Sequence, residues 1–238
     1  MTDLRAEGLG KRFGGLQVFS DISFTLAQGD LLGVIGPNGA GKTTLINVLS
    51  GRIPPSTGRV RVGERDVTGQ PAHALARLGV ARSFQQTNTF RSVPVAENIA
   101  RAIRFGGRGT PPGLDALMAE FGLAPRLNEQ SDKLPYGLQK MLGLIMVFAT
   151  SPRVLLLDEP AAGLEQAERH HIDRFVQHVR TAGASVLIVE HDMDLIRRLC
   201  PRILVLDAGV VLADGPPAEV LAREDVIAAY LGEAEEHA

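Results

Sequence analysis

A chain of 238 residues, 45% hydrophobic and 22% charged, has the make-up of a globular protein with room for one large domain or two small ones. Its net charge of −2 gives no electrostatic argument for binding nucleic acid or anionic lipid over a broad surface. The single cysteine, Cys200, excludes an internal disulfide framework and fits a reducing compartment.

In chain order, MTDLRAEGLG lacks the apolar core of a secretion signal, and residues 1–30 read as short antiparallel strands. LLGVIG (31–36) is nearly all aliphatic, as are VLLL (154–157), SVLIVE (185–190) and RILVLD (202–207). Such runs suit strands covered on both faces, as in a parallel sheet. GRVRVGERDVTG (58–69) again reads as short antiparallel strands. Residues from about 87 to 150 carry helical patterning broken by GGRGTPPG (106–113), and the longest apolar run, MLGLIMVFAT (141–150), is too short to cross a bilayer as a helix. A helix is expected over 166–182, where Ile172, Phe175, Val176 and Val179 fall at helical spacing and Gly183 supplies a stop. The alternation argues a soluble α/β fold, one domain with inserted parts, ending in an acidic, frayed GEAEEHA.

Three constellations carry chemistry. GPNGAGKT (36–43) matches G-x-x-x-x-G-K-[ST] and lies between an aliphatic strand and the helix KTTLINVLSG, the context that a phosphate-binding loop requires. Gly36, Gly39 and Gly41 are expected to let backbone N–H groups curl around phosphate oxygens, the helix N-terminus adds its positive end, Lys42 reaches the terminal phosphates, and the Thr43 hydroxyl ligates Mg²⁺. The plain alternative is a glycine-rich turn that happens to precede a helix. VLLLDE then ends a buried strand in two carboxylates: Asp158 is placed to hold Mg²⁺ through water, and Glu159 to polarise an attacking water. An ordinary acidic turn is the competing reading. LIVEHD places His191 at a strand end, where ligands of open α/β sheets collect, whereas His170, His171 and His178 read as structural and lack metal-pair spacing.

The order of these motifs, with LPYGLQ (134–139) just ahead of the acid-bearing strand, resembles the ATP-binding cassette (ABC) ATPases over essentially the whole chain. The resemblance implies a P-loop NTPase (RecA-like) core with a mostly parallel sheet, an antiparallel β subdomain and an inserted helical subdomain. A single domain would span 1–238, with 1–86 and 151–238 forming the β and P-loop parts and about 87–150 the helical part. Carried over by position, Phe13 stacks on adenine; Gly36, Pro37, Asn38, Gly39, Ala40, Gly41, Lys42, Thr43 and Thr44 form the first nucleotide motif; and Gln85 senses Mg²⁺ against a membrane partner. Leu134, Pro135, Tyr136, Gly137, Leu138 and Gln139 occupy the signature, Asp158 and Glu159 the second motif, AAGLE the dimer loop, and His191 the γ-phosphate switch. Phe13 as a simple core residue, and Gln85 or Gln86 as strand-end polar groups, stay open. The implied cofactors are ATP and Mg²⁺. The implied partners are a second ABC ATPase subunit (a heterodimer rather than a homodimer), two integral membrane permease subunits and, indirectly, a solute-binding protein, with no nucleic acid, at the cytoplasmic face of the plasma membrane.

KRFGGLQV, ARSFQQTNTF with VAENI, DEPAAGL, VEHDMDLI and LADGPPAEVL look like ATPase subunits of branched-chain amino acid importers, of the type that opens with F-G-G, although the segment 105–134 is shorter than that type implies. Importers of urea or short amides are the alternative. Soluble cassette ATPases of DNA repair or translation usually carry long coiled-coil inserts or two cassettes, neither of which is visible, and no N-K-x-D guanine-reading stretch is evident. Lys42, Glu159 and His191 together argue against a degenerate cassette. The departure is in the signature itself. Where the family usually has L-S-G-G-Q, Pro135 replaces the serine, removing a hydroxyl and an N–H. The expectation is a retained but weakened signature, with Pro135 in the first helical turn, where its missing N–H costs least, and Gly137 permitting close backbone approach.

Overall fold

The computed structural model describes residues 3–83, 89–166 and 168–236, with side chains through Tyr230. Strands β1 (Leu4–Phe13) and β2 (Leu16–Leu26) form an antiparallel pair joined at Gly14 and Gly15. Along β1, alternate side chains Leu4 and Ala6 are buried, as a half-covered strand requires. Strand β3 (Leu31–Ile35) is buried throughout and delivers the chain to helix α1 (Lys42–Leu49). Strand β4 (Thr57–Val62) pairs with β1, and the two-residue β5 (Arg65–Asp66) with β4. These close a four-stranded antiparallel sheet in the order β2-β1-β4-β5. A short helix, α2 (Ala72–Leu78), stops at Gly79 (φ 98°) and feeds β6 (Val80–Arg82).

The helical part contains α3 (Val95–Gly106), α4 (Leu114–Glu120) and α5 (Tyr136–Ala149), with 3-10 turns at Ala124–Arg126 and Ser131–Lys133. The rest alternates: β7 (Val154–Asp158), α6 (His170–Thr181), β8 (Ser185–Val189), α7 (Met193–Leu199), β9 (Arg202–Asp207), β10 (Val210–Gly215), α8 (Pro217–Val220) and α9 (Glu224–Glu236). The second sheet has the order β10-β9-β3-β8-β7-β6. Its strands β9 to β6 are parallel, and β10 is an antiparallel edge.

The aliphatic runs are explained by two cores, one on each face of this sheet. Leu31 and Ile35 of β3, Leu155 and Leu157 of β7, and Val186 and Ile188 of β8 face the helices. Leu32 and Val34, Val154 and Leu156, and Leu187 and Val189 face α1 and the antiparallel sheet. Period-two alternation between two apolar layers leaves no polar position in the strand. The helical core is continuous with the sheet: Ile99, Leu117, Ile145 and Phe148 belong to the same cluster as β3, β7, β8 and β9.

The helix expected over 166–182 begins instead at His170. Ahead of it the Glu165 amide donates to the Glu168 carboxylate at 3.1 Å, a local side-chain bond of the kind that competes with helix formation. His178 contacts Glu120 at 2.8 Å, and His171 lies 5.2 Å from the Phe121 ring with its pKa lowered, chiefly by burial. Among the described residues no group of three or more His, Cys, Asp or Glu side chains could hold a metal, and no helix is long and apolar enough to cross a membrane. Burial pushes the Cys200 thiol up to about 12, so it is a packing residue and not a reactive one.

Asn98 is fully buried in α3 and organises the preceding turn. It accepts from the Phe90 amide (2.8 Å) and donates to the carbonyls of Phe90, Val93 and Pro94 (3.1–3.2 Å). Asn98→Ala strands these groups and is expected to cost ~2 kcal/mol, a fall in melting temperature of roughly 4–8 °C. A calorimetric scan checks this; an unchanged midpoint would contradict it.

Candidate nucleotide site

The register of the parallel strands sets the site. Asp158 pairs with Val189, and Val34 with the same residue, so β3, β7 and β8 end at one level. Gly36, Glu159 and Glu190 therefore leave the sheet along one edge.

The loop after β3 curls over the start of α1. Gly39 (φ 80°) and Gly41 (φ 98°) adopt the left-handed backbone that glycine tolerates. Gly36 has another reason to be glycine: a Cβ there would lie 2.0 Å from the Leu206 carbonyl oxygen. Its lack of a side chain lets β3 exit against β9, a packing requirement that is independent of phosphate. Pro37 and Ala40 are buried, Asn38, Gly39 and Thr43 exposed, and Thr44 half-buried. The buried Lys42 ammonium donates to the carbonyls of Gly36 (2.6 Å) and Pro37 (2.8 Å), which holds it inside the loop's curve.

Asp158 is 3% exposed. Its Oδ2 accepts from Arg82 Nη2 at 2.7 Å, while Oδ1 is buried without a hydrogen-bond partner among the described residues. A buried carboxylate oxygen left unpaired is costly, and with the Thr43 hydroxyl lining the same cavity it offers the hard oxygen donors that Mg²⁺ prefers. The residues fit the ion. Glu159 turns away through a left-handed backbone (φ 48°), a sparsely populated conformation for a non-glycine residue that is characteristic of functional sites. Its amide donates to Val189 O at 2.9 Å, and its Oε1 lies 2.8 Å from His191 Nε2. The two residues read separately as base and switch are thus in contact.

Behind them sits Glu190, which the motif reading passed over. It is 4% exposed and accepts from the amides of Ala161 (2.7 Å) and His191 (3.1 Å). Burial raises its pKa, those backbone hydrogen bonds lower it, and the repulsion of Glu159 adds to the rise. Asp192 caps α7 through the amides of Asp194 and Leu195 and pairs with Arg169. Its pKa is lowered, first by the Leu195 amide.

The signature segment differs from expectation in two details. Pro135 is the residue before α5, in extended backbone (φ −53°, ψ 150°), and Tyr136 begins the helix; proline's φ suits both places, but its ring stands one position earlier than expected. Gly137 admits a close approach from within the chain: a Cβ there would be 2.1 Å from Glu168 Oε1. The same loop is pinned twice more. A Cβ on Gly163 would meet the Tyr136 hydroxyl at 3.0 Å, and Lys140 Nζ donates to Ala162 O. Burial lowers the Lys140 pKa. Leu134 is buried, Leu138 packs on the helical core, and Gln139 Nε2 donates back to Leu134 O at 2.8 Å. The start of α5 thus packs against Ala162, Gly163 and Glu168.

Phe13 lies at the end of β1, 51% exposed, with Lys11 Nζ 4.8 Å from its ring centroid. That exposure removes the core alternative. Gln85 and Gln86 lie outside the described residues. Arg82 was also missed: apart from an arginine in VARSF, its sequence gives no signal, because Ser50, Asn47 and Asp158, which it contacts, are 32 to 76 residues away.

A glycine-rich loop ahead of a helix, a buried aspartate at the next-but-one strand and a paired glutamate and histidine define a P-loop nucleotide hydrolase. The family model described as ABC transporter matches residues 19–162, and one described as branched-chain amino acid ATP-binding cassette transporter matches 210–236. The chain belongs to the ABC transporter family and is one of its ATP-hydrolysing, ATP-binding subunits. It is 37% identical to the high-affinity branched-chain amino acid transport ATP-binding protein LivG of Salmonella typhimurium, over 97% of this chain and 98% of that one. It is 34% identical to BraF, of like description, from Pseudomonas aeruginosa, with the same coverage, and 31% identical to the lipopolysaccharide export system ATP-binding protein LptB of Escherichia coli over 98% of each. The crystal structure of the ABC transporter cassette MJ1267 in its ADP conformation superposes with a TM-score of 0.86 at 27% identity, covering 98% of this chain and 99% of that one.

Proposed function

We propose that this chain hydrolyses ATP to drive a membrane importer for branched-chain amino acids, working at the cytoplasmic face of the membrane through two permease subunits supplied by a solute-binding protein. The observation that carries the reading is the Glu159–His191 contact at the strand edge beside the P-loop; the match of the final segment to the branched-chain family model supports the solute class.

The left-handed turns at Gly39 and Gly41 and the N-terminus of α1 turn N–H groups toward phosphate oxygens. Lys42, released from the Gly36 and Pro37 carbonyls, donates to the terminal phosphates. Thr43 and Asp158, with Gln85, would hold Mg²⁺, which when bound neutralises phosphate charge. Glu159 accepts a proton from the attacking water, and His191 both orients that carboxylate and reaches the γ-phosphate. Phe13, exposed and at a strand end, offers its face to adenine. Leu134 to Gln139 serve the nucleotide of a second ATPase subunit, in a heterodimer in which the partner's signature completes this chain's site.

Pro135→Ser tests the last point. Serine restores a hydroxyl and is a preferred helix-capping residue, and a hydrogen bond to a charged group contributes roughly 1.5–3 kcal/mol. ATP-dependent association of the subunit pair, measured by sedimentation with hydrolysis blocked, is expected to tighten about ten-fold or more; an unchanged affinity would contradict a weakened signature. For the solute, proteoliposomes holding the full transporter are expected to accumulate leucine and not urea or acetamide. Uptake of either amide in place of leucine would reassign the substrate.

A further inference from the structure

Arg82 ends β6 with its side chain only 8% exposed. Its guanidinium donates to Asp158 Oδ2 at 2.7 Å, to Asn47 Oδ1 of α1 at 2.6 Å and to Oγ of Ser50, the residue that caps α1, at 3.1 Å. It takes one oxygen of the very carboxylate whose other oxygen is buried without a hydrogen-bond partner among the described residues. Arg82, Asp158, Asn47, Ser50 and Thr43 all line a cavity of about 1350 Å³ along β6, bordered by α1 and α2 on one side and by α3 and α5 on the other. A buried strut packed in a core would have no space to move; this one borders open volume.

We infer that Arg82 is a positioning residue that clamps Asp158 and holds down the metal affinity of the site, so that the carboxylate is only half available to an ion until the guanidinium swings away. The inference rests on the reading of Asp158 as the metal-holding residue. The sign follows from charge. A fixed positive group against Asp158 neutralises the carboxylate and repels a divalent cation arriving at the other oxygen, in a site shielded from bulk water where such terms are strong. Removing it leaves an uncompensated buried carboxylate, which an incoming cation relieves. An ordinary structural ion pair would instead lose metal affinity when broken, because the site would loosen.

The test is Mn²⁺ binding, followed by electron paramagnetic resonance at saturating ADP, in the full-length wild-type chain, Arg82→Met and Arg82→Lys. Methionine keeps much of the volume and removes the charge; lysine keeps the charge balanced but loses the fork that spans Asp158, Asn47 and Ser50. Mn²⁺ is expected to bind about ten-fold tighter to the methionine variant and about three-fold tighter to the lysine variant, with metal-free ADP affinity unchanged. Mn²⁺ with ADP should also raise the melting temperature of the methionine variant more than that of wild type. Should the methionine variant not fold, the lysine variant decides alone. Equal or weaker Mn²⁺ affinity in a folded variant overturns the clamp while leaving the metal site intact. Failure of wild type to bind Mn²⁺ with ADP overturns the metal-site reading, and the clamp with it.

Discussion

Glu159→Gln is expected to lower phosphate release at least about a hundred-fold while leaving ATP binding essentially intact. Glutamine has the size and shape of glutamate and keeps an oxygen within reach of His191, which stands 2.8 Å from Oε1. The strand-end turn that aims the residue is held by its own amide, which donates to Val189 O, and the substitution does not touch it. What disappears is a carboxylate able to take a proton from water. Binding is read with a fluorescent ATP analogue and turnover by phosphate release. Retention of more than about a tenth of the activity would place the base elsewhere, with buried Glu190 the next carboxylate along the same edge. Glu190 is a poor candidate on geometry, since its two oxygens already accept from the Ala161 and His191 amides.

Gly36→Ala is expected to be nearly as damaging, for a mechanical reason. The added methyl would sit 2.0 Å from the Leu206 carbonyl oxygen, and φ at this residue is 148°, which L side chains rarely adopt. Backbone cannot yield as a flexible side chain does, so β3 and β9 must separate at their ends. The penalty is on the order of 3 kcal/mol, a melting-temperature loss of roughly 6–12 °C, and the displaced loop should also lose ATP affinity. Gly39→Ala separates the two causes. It has open space around its missing Cβ, so it is expected to carry only the cost of its left-handed φ, about 1–2 kcal/mol. Equal losses in the two variants would show that the contact with Leu206 is unimportant.

The strands most legible in the sequence were β3, β7, β8 and β9, because both faces are buried and each reads as an unbroken aliphatic run. Strand β6 was not legible: three residues, Val80, Ala81 and Arg82, carry no period. Strand β10 pairs antiparallel at the sheet edge and mixes exposed, half-buried and buried positions. Local chemistry set the true start of α6, where a Glu165–Glu168 bond outweighs the apolar spacing that begins further on. At the site, motif spacing alone pointed to Lys42, Asp158, Glu159 and His191, and the structure brings Glu159 and His191 into contact. The contacts among them were not readable. That Glu159 meets His191, that Glu168 lies on Gly137 and that Arg82 joins Asp158 to α1 are consequences of strand order, which brings together residues 31 to 76 positions apart.

On the proposed function, this chain is expected to hydrolyse ATP only when a second subunit's signature closes on its P-loop. Phosphate release should be followed across a wide range of protein concentration, with the permease and second ATPase subunit absent and then added, using Glu159→Gln as the blank. A dilute, monomeric chain is expected to bind ATP but to release phosphate no faster than the blank, with specific activity climbing as a second subunit is supplied. High specific activity that stays constant on dilution, while sedimentation shows only monomer, would contradict it.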